Sequence, residues 1–221
     1  MYYAIIGDIK ESKKLKERGE IQEKLNDVLK RVNVFYEEDI AAKFLITLGD
    51  EFQGLLKRTT HLLELIKYIQ EEMYPIEFRF GVGMGEIYTT INREAAIGAD
   101  GPAFYAARNV LAEMHKQEKR LKKQAADIQI EFYEKECFAV LEINTMLSLV
   151  KTIEDSWNEK QRYTIWDMIR YQDSQEICAR RQNTTQSTVA RRLSDGKYLV
   201  YISAMTTIKD AIQRLEKYGC S

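Results

Sequence analysis

Two aspartates in this 221-residue chain each follow a glycine at the end of an apolar run: Asp8 in "YYAIIGDI" and Asp50 in "FLITLGDEFQGLL". Two carboxylates at neighbouring strand ends can share a divalent ion. Mg²⁺ takes oxygen ligands and is commonly held by one or two carboxylates plus phosphate oxygens, and a pair of such ions clamps a triphosphate. Turn chemistry competes with this reading, because Asp is favoured in turns and at helix caps. For either aspartate alone the turn is the better explanation. Only the two together, ahead of the glycine-rich "RFGVGMGEIYT", favour a metal site.

A second stretch, "SQEICARRQNTTQSTVARRLSDGKY" (Ser174–Tyr198), has the pattern of a helix-turn-helix. Two short helices flank a polar turn. Ala179 falls where the helices must approach closely, and Asn183 where a left-handed residue is wanted, a conformation Asn tolerates. Val189 and Leu193 are expected inside. Thr185, Gln186, Ser187, Arg191 and Arg192 are expected to face double-stranded DNA, since the start of the second helix meets base edges in such motifs. Arg180, Arg181 and Lys197 are better placed for phosphates, which give affinity without sequence information. Gln182 and Thr184 stand where apolar residues are usual. The competing readings are a helical bundle with a solvated basic face and a helical arm for dimerisation.

The charge distribution agrees with DNA as a partner. From Asn158 to Ser221 there are 11 Lys/Arg against 7 Asp/Glu, a net of +4, while the remainder carries 22 against 27, a net of −5. Such asymmetry suggests two parts with different partners.

The elements that must position these residues follow from periodicity. "YYAIIGDI" reads as a buried strand, and a helix is expected from about Ser12 to Tyr36. "AKFLITL" and "EFQGLLK" read as strands joined by a tight turn at Gly49-Asp50. Thr59 or Thr60 is expected to cap a helix running to about Met73. "IEFRFGVGMGEIYT" reads as a hairpin or bent strand, with Gly81, Gly83 and Gly85 permitting close backbone approach. Pro102 opens a helix to about Gln124, and "IQIEFYE" is a last strand. Beyond about Lys135 only helices are expected: two long ones, then three shorter. The expectation is an α+β fold, one sheet covered by helices, over residues 1–135, followed by an all-α helix-turn-helix domain over residues 136–221.

Composition excludes several classes. With 45% hydrophobic and 30% charged residues the chain can build a core. No apolar run is long enough for a membrane span, and the N-terminus lacks a signal peptide's basic segment and cleavage site. The three cysteines, Cys137, Cys178 and Cys220, are widely spaced without a CxxC pair. This fits a reducing cytoplasm and argues against a disulfide framework or zinc. The two histidines, His61 and His115, lie in helix-like stretches, so histidine chemistry is not expected.

The order "IIGDI", "TLGDEF", "RFGVGMGEIYT", "GADGPAFYAARN" resembles class III nucleotidyl cyclase domains over roughly Tyr2 to Glu134. The resemblance implies a ferredoxin-like, cyclase-type sheet in which Asp8, Asp50 and the Ile9 carbonyl bind two Mg²⁺ or Mn²⁺ ions. It also implies that Arg108 steadies phosphates, for which guanidinium geometry is suited; from the residues alone, Arg108 reads as a solvated helix residue. The nucleotide-binding positions of the family fall on Ile46, Phe104 and Arg108. Here Phe104 replaces the usual ribose-holding Asn and Ile46 the usual base-reading Lys, which is expected to leave the domain catalytically degenerate. Over its whole length the chain resembles the SatD family of small bacterial proteins. Together these features imply a cytoplasmic, homodimeric, DNA-binding regulator that senses a nucleotide. The alternatives are an active Mg²⁺-dependent cyclase or related nucleotidyl transferase, and a pair of interaction modules in a stress-response protein.

Overall fold

The computed structural model describes residues 1–121, 126–133 and 136–219. Its centre is strand β1 (Tyr2–Ile9), the middle of a five-stranded sheet ordered β2-β3-β1-β4-β5. The flanking strands are β2 (Ile40–Leu48), β3 (Glu51–Leu56), β4 (Phe78–Gly85) and β5 (Ile128–Phe132). β1 pairs antiparallel with β3 and β4, and β5 joins β4 in parallel. Because helices cover both faces of β1, its run is apolar on both sides rather than alternating with polar residues.

On one face, Tyr3, Ile5 and Ile9 pack with Phe52, Phe78 and Phe80 under helices α1 (Arg18–Phe35) and α2 (Leu62–Met73). On the other, Ala4 and Ile6 meet α3 (Pro102–Leu121) through Ala103, Phe104 and Ala107. The glycines of β4 face α3. A Cβ at Gly81 or Gly83 would overlap the carbonyls of Ala107 and Ala103, so small residues on both partners let helix and strand touch backbone to backbone.

The helical part comprises α4 (Phe138–Asp155), α5 (Glu159–Tyr171), α6 (Gln175–Arg181), α7 (Gln186–Asp195) and α8 (Tyr198–Tyr218). Asn158 and Gln161 form a reciprocal capping box that starts α5. The core of the first sheet face continues without a break through Ile143 and Leu147 of α4 and Ile208 and Ile212 of α8. Glu154 of α4 anchors this seam, accepting from Lys67 of α2 at 2.6 Å and from the buried Tyr201 hydroxyl of α8 at 2.8 Å.

Several local expectations are corrected. The first helix begins at Arg18, preceded by a separate 3-10 turn at Ser12–Lys14. Thr59 does not cap α2; its hydroxyl and amide bond Glu216 of α8. β4 stops at Gly85, so "EIYT" is not strand, and α8 is the longest of the described helices. Cys178 is free and buried, but Cys137 is disulfide-bonded, against the reading of the cysteine spacing. The end of α3 expected near Gln124 lies outside the described residues. Among the described residues, no helix is long and apolar enough to cross a membrane.

Candidate functional site

Asp8 follows Ile6 in the alternation of β1 and so projects toward α3. Its register partner on β4 is Arg79, whose Nη1 donates to Asp8 Oδ1 at 3.0 Å. His115 of α3 brings Nε2 to 2.7 Å from the other carboxylate oxygen. Arg79 is buried and donates also to Glu118 of α3. Burial pulls the Arg79 pKa down, but Glu118 and Asp8 outweigh it and leave it raised, so this guanidinium stays charged. The cluster is an Arg held between two carboxylates, with a histidine closing its outer side.

Asp50 is elsewhere. It occupies the β2–β3 turn, where Gly49 takes a left-handed φ of 61° as the turn requires. With Ile9, Ser12, Arg18 and Gln22 it borders a cavity under α1, on the sheet face opposite α3. Asp8 is thus engaged on the α3 side, whereas Asp50 borders the cavity on the α1 side. A divalent ion does not fit this donor set: Arg79 and His115 already occupy the two Asp8 oxygens. Among the described residues no group of three or more His, Cys, Asp or Glu could hold a metal.

Of the other positions implied by the cyclase resemblance, two are packed into the core and one is exposed. Phe104 is fully buried against the α3 face of the sheet and cannot meet a ligand, and Ile46 packs against the opposite core. Arg108 is exposed on α3, its guanidinium 5.9 Å from the Phe104 ring centre.

The helical part forms the expected two-helix unit. Thr185 caps α7 by accepting from the Thr188 amide at 3.2 Å, and Asn183 adopts φ 50° in the turn between α6 and α7. Cys178, Ala179, Val189 and Leu193 are buried between the helices. Gln186, Ser187 and Arg191 are exposed on α7, flanked by exposed Arg180 and Lys197. Arg180, Arg191 and Lys197 form no ion pair among the described residues.

Two arginines expected to contact DNA are held by other residues of the chain. Arg181 pairs with Asp167 and Asp173 and lies 4.2 Å from the Tyr171 ring centre. Arg192 Nη1 donates to Gln182 Oε1 at 3.0 Å and Thr164 Oγ1 at 3.3 Å. The Thr164 hydroxyl donates in turn to Gln182 at 2.8 Å. Gln182 thus stands at an apolar position of the motif because it is the acceptor of a polar cluster joining α5 to α7.

The model of the SatD family matches residues 2–212. The chain belongs to the SatD family. No curated protein matches it. Among solved structures, two bacterial light-regulated adenylyl cyclases are similar to this SatD-family chain, each at 12% identity. One match covers 58% of this chain and 74% of the other at a TM-score of 0.42; the second covers 64% and 44% at 0.39.

Sequence reasoning missed Arg79, His115 and Glu118. The signals were present: Arg79 is the lone charge in β4, and His115 and Glu118 are three apart on α3, hence on one face. Both histidines prove to be carboxylate partners, since His61 Nδ1 sits 2.7 Å from buried Asp39.

Proposed function

We propose that this SatD-family protein is a DNA-binding regulator that uses α7 as its recognition helix, with the cyclase-like sheet as a scaffold that has lost metal chemistry. One observation carries the reading: Gln186, Ser187 and Arg191 stand exposed on a well-capped α7, with Arg180 and Lys197 beside them and free of ion pairs among the described residues. Amide and hydroxyl side chains suit base edges, while flanking cations suit phosphates. Such helices read paired half-sites as dimers, so the active form is a homodimer.

Fluorescence anisotropy with duplexes covering the region upstream of its own coding sequence tests this. Binding should weaken steeply with salt and fall in Arg191→Ala. Absence of salt-sensitive binding to every duplex would refute the proposal. The alternative, a Mg²⁺-dependent nucleotidyl cyclase, requires Asp8 to be released from Arg79 and His115. Product formation from ATP or GTP, lost in Asp8→Ala and Asp50→Ala, would reinstate it.

A further inference from the structure

Between α2, α5 and α7 runs an open groove of about 520 Å³ whose walls include Lys160, Tyr163, Trp166, Gln182 and Arg192. Its acids are already committed. Glu71 meets Arg170 at 3.0 Å, and Asp167 holds Arg181. Lys160 and Arg192 are left without a carboxylate partner among the described residues. Arg192 is half-buried, and both of its hydrogen-bond partners are neutral oxygens. The Arg192 guanidinium therefore has no carboxylate paired with it among the described residues, and it retains donors for an anion.

Aromatic surface adjoins these cations. Tyr163 is half-exposed, and its ring centre lies 6.0 Å from that of Trp166 at a steep angle. Arg162 stacks against Trp166 as well, but it lines a different cavity, which Trp166 also borders. The groove side of Trp166 is therefore not claimed by Arg162. Flat rings beside these two cations suit a ligand with a planar ring and a phosphate.

We infer that this groove binds a small aromatic phosphate of the nucleotide class, with its ring against Tyr163 and Trp166 and its phosphate on Arg192 and Lys160. The inference deepens the regulatory reading and rests on it for its consequence. Arg192 belongs to α7 and ties it to Thr164 of α5 and to Gln182 beside the turn. A phosphate drawing on Arg192 alters the seating of the helix that presents Gln186, Ser187 and Arg191. The sensing site thus lies in the helical part and not at Asp8 and Asp50.

Isothermal titration calorimetry of the full chain without DNA tests this, using AMP, GMP, adenosine and inorganic phosphate. A nucleoside monophosphate should bind more tightly than adenosine or phosphate alone. Lys160→Ala and Tyr163→Ala, both at exposed positions, should each weaken it about tenfold, the scale of one charge-assisted hydrogen bond or stacked ring. The Asp8→Ala/Asp50→Ala double variant should bind as wild type does. No heat with any probe would overturn the inference, as would binding that survives Tyr163→Ala and vanishes in the double variant. Nucleotide binding lost in Tyr163→Ala, in a protein with no affinity for DNA, would uphold the groove and remove only the regulatory reading.

Discussion

Arg79 and Asp8 are register partners across the β1–β4 ladder, and Arg79 Nη1 lies 3.0 Å from Asp8 Oδ1. Glu118 and His115 reach down from α3 to the same pair. The result is a charged layer between the sheet and its covering helix, at the end of an otherwise apolar interface. The protein's own cation therefore occupies the aspartate that sequence pattern offers to a metal.

Removing that cation leaves two carboxylates facing each other under α3. Arg79→Met is expected to cost about 3–5 kcal/mol, the usual result of stripping one partner from a buried ion pair. Glu118→Gln, which leaves Asp8 and Arg79 paired, should cost less. Urea unfolding checks both, and an Arg79→Met protein as stable as wild type would show that the cluster contributes nothing.

Divalent ions should leave the wild-type melting temperature unchanged. An ion bound to the folded state at 100 times its dissociation constant would stabilise it by about 2.7 kcal/mol, well within reach of a thermal melt. A clear upward shift with millimolar Mg²⁺ or Mn²⁺, absent from Asp8→Asn, would mean that the ion displaces Arg79.

The β4–α3 contact makes a purely steric prediction. A methyl at Gly83 would overlap the Ala103 carbonyl and the Ala107 amide, both of them backbone. The helix must move away from the sheet, so Gly83→Ala should destabilise by about 1–3 kcal/mol or more. Gly49→Ala is strained for a different reason, its positive φ, and has open space around it. Comparing the two by chemical denaturation separates packing from backbone strain.

Most elements were legible because their signals are local. The β1 run, the Gly49-Asp50 turn and Pro102 at the head of α3 needed only periodicity, turn and cap chemistry. The site was less legible because it depends on which face each residue meets. Alternation along β1 sends Asp8 toward α3, whereas Asp50 sits in a turn where alternation says nothing. In β2, register shifts break the alternation, so position along the strand is no guide to which face a residue meets. Arg192 was misread for a related reason. Its place on α7 is compatible with either side, and only the position of Thr164 on α5 decides that it turns inward.

Cys178 gives the helical part a pH signature. Burial, aided by Asp167, pushes its thiol from the ordinary 9.0 up to about 11. Between those values the unfolded chain loses the thiol proton while the folded chain keeps it. The folded state then binds more protons, so stability falls as pH rises through this window. The Cys178→Ala variant should unfold more readily at pH 7, having lost packing, but its stability should fall less steeply from pH 9 to 11. Parallel slopes for the two proteins would contradict the shifted thiol.

Adjacent arginines on α7 should separate recognition from stability. Arg191 is exposed and free of ion pairs among the described residues, so Arg191→Ala should change folding stability by no more than about 0.5 kcal/mol. If it reads a base edge, that variant should lose about 1–3 kcal/mol of DNA binding. Arg192 behaves oppositely. Its removal leaves Gln182 and Thr164 short of a donor in a half-buried cluster, at a cost of about 1–3 kcal/mol in folding. DNA affinity would then suffer only through the displaced helix, and Arg192→Lys, which keeps the charge but not the forked geometry, should recover little of the stability. Equal stability losses in the two alanine variants would mean that the inward turn of Arg192 does not hold α7 in place.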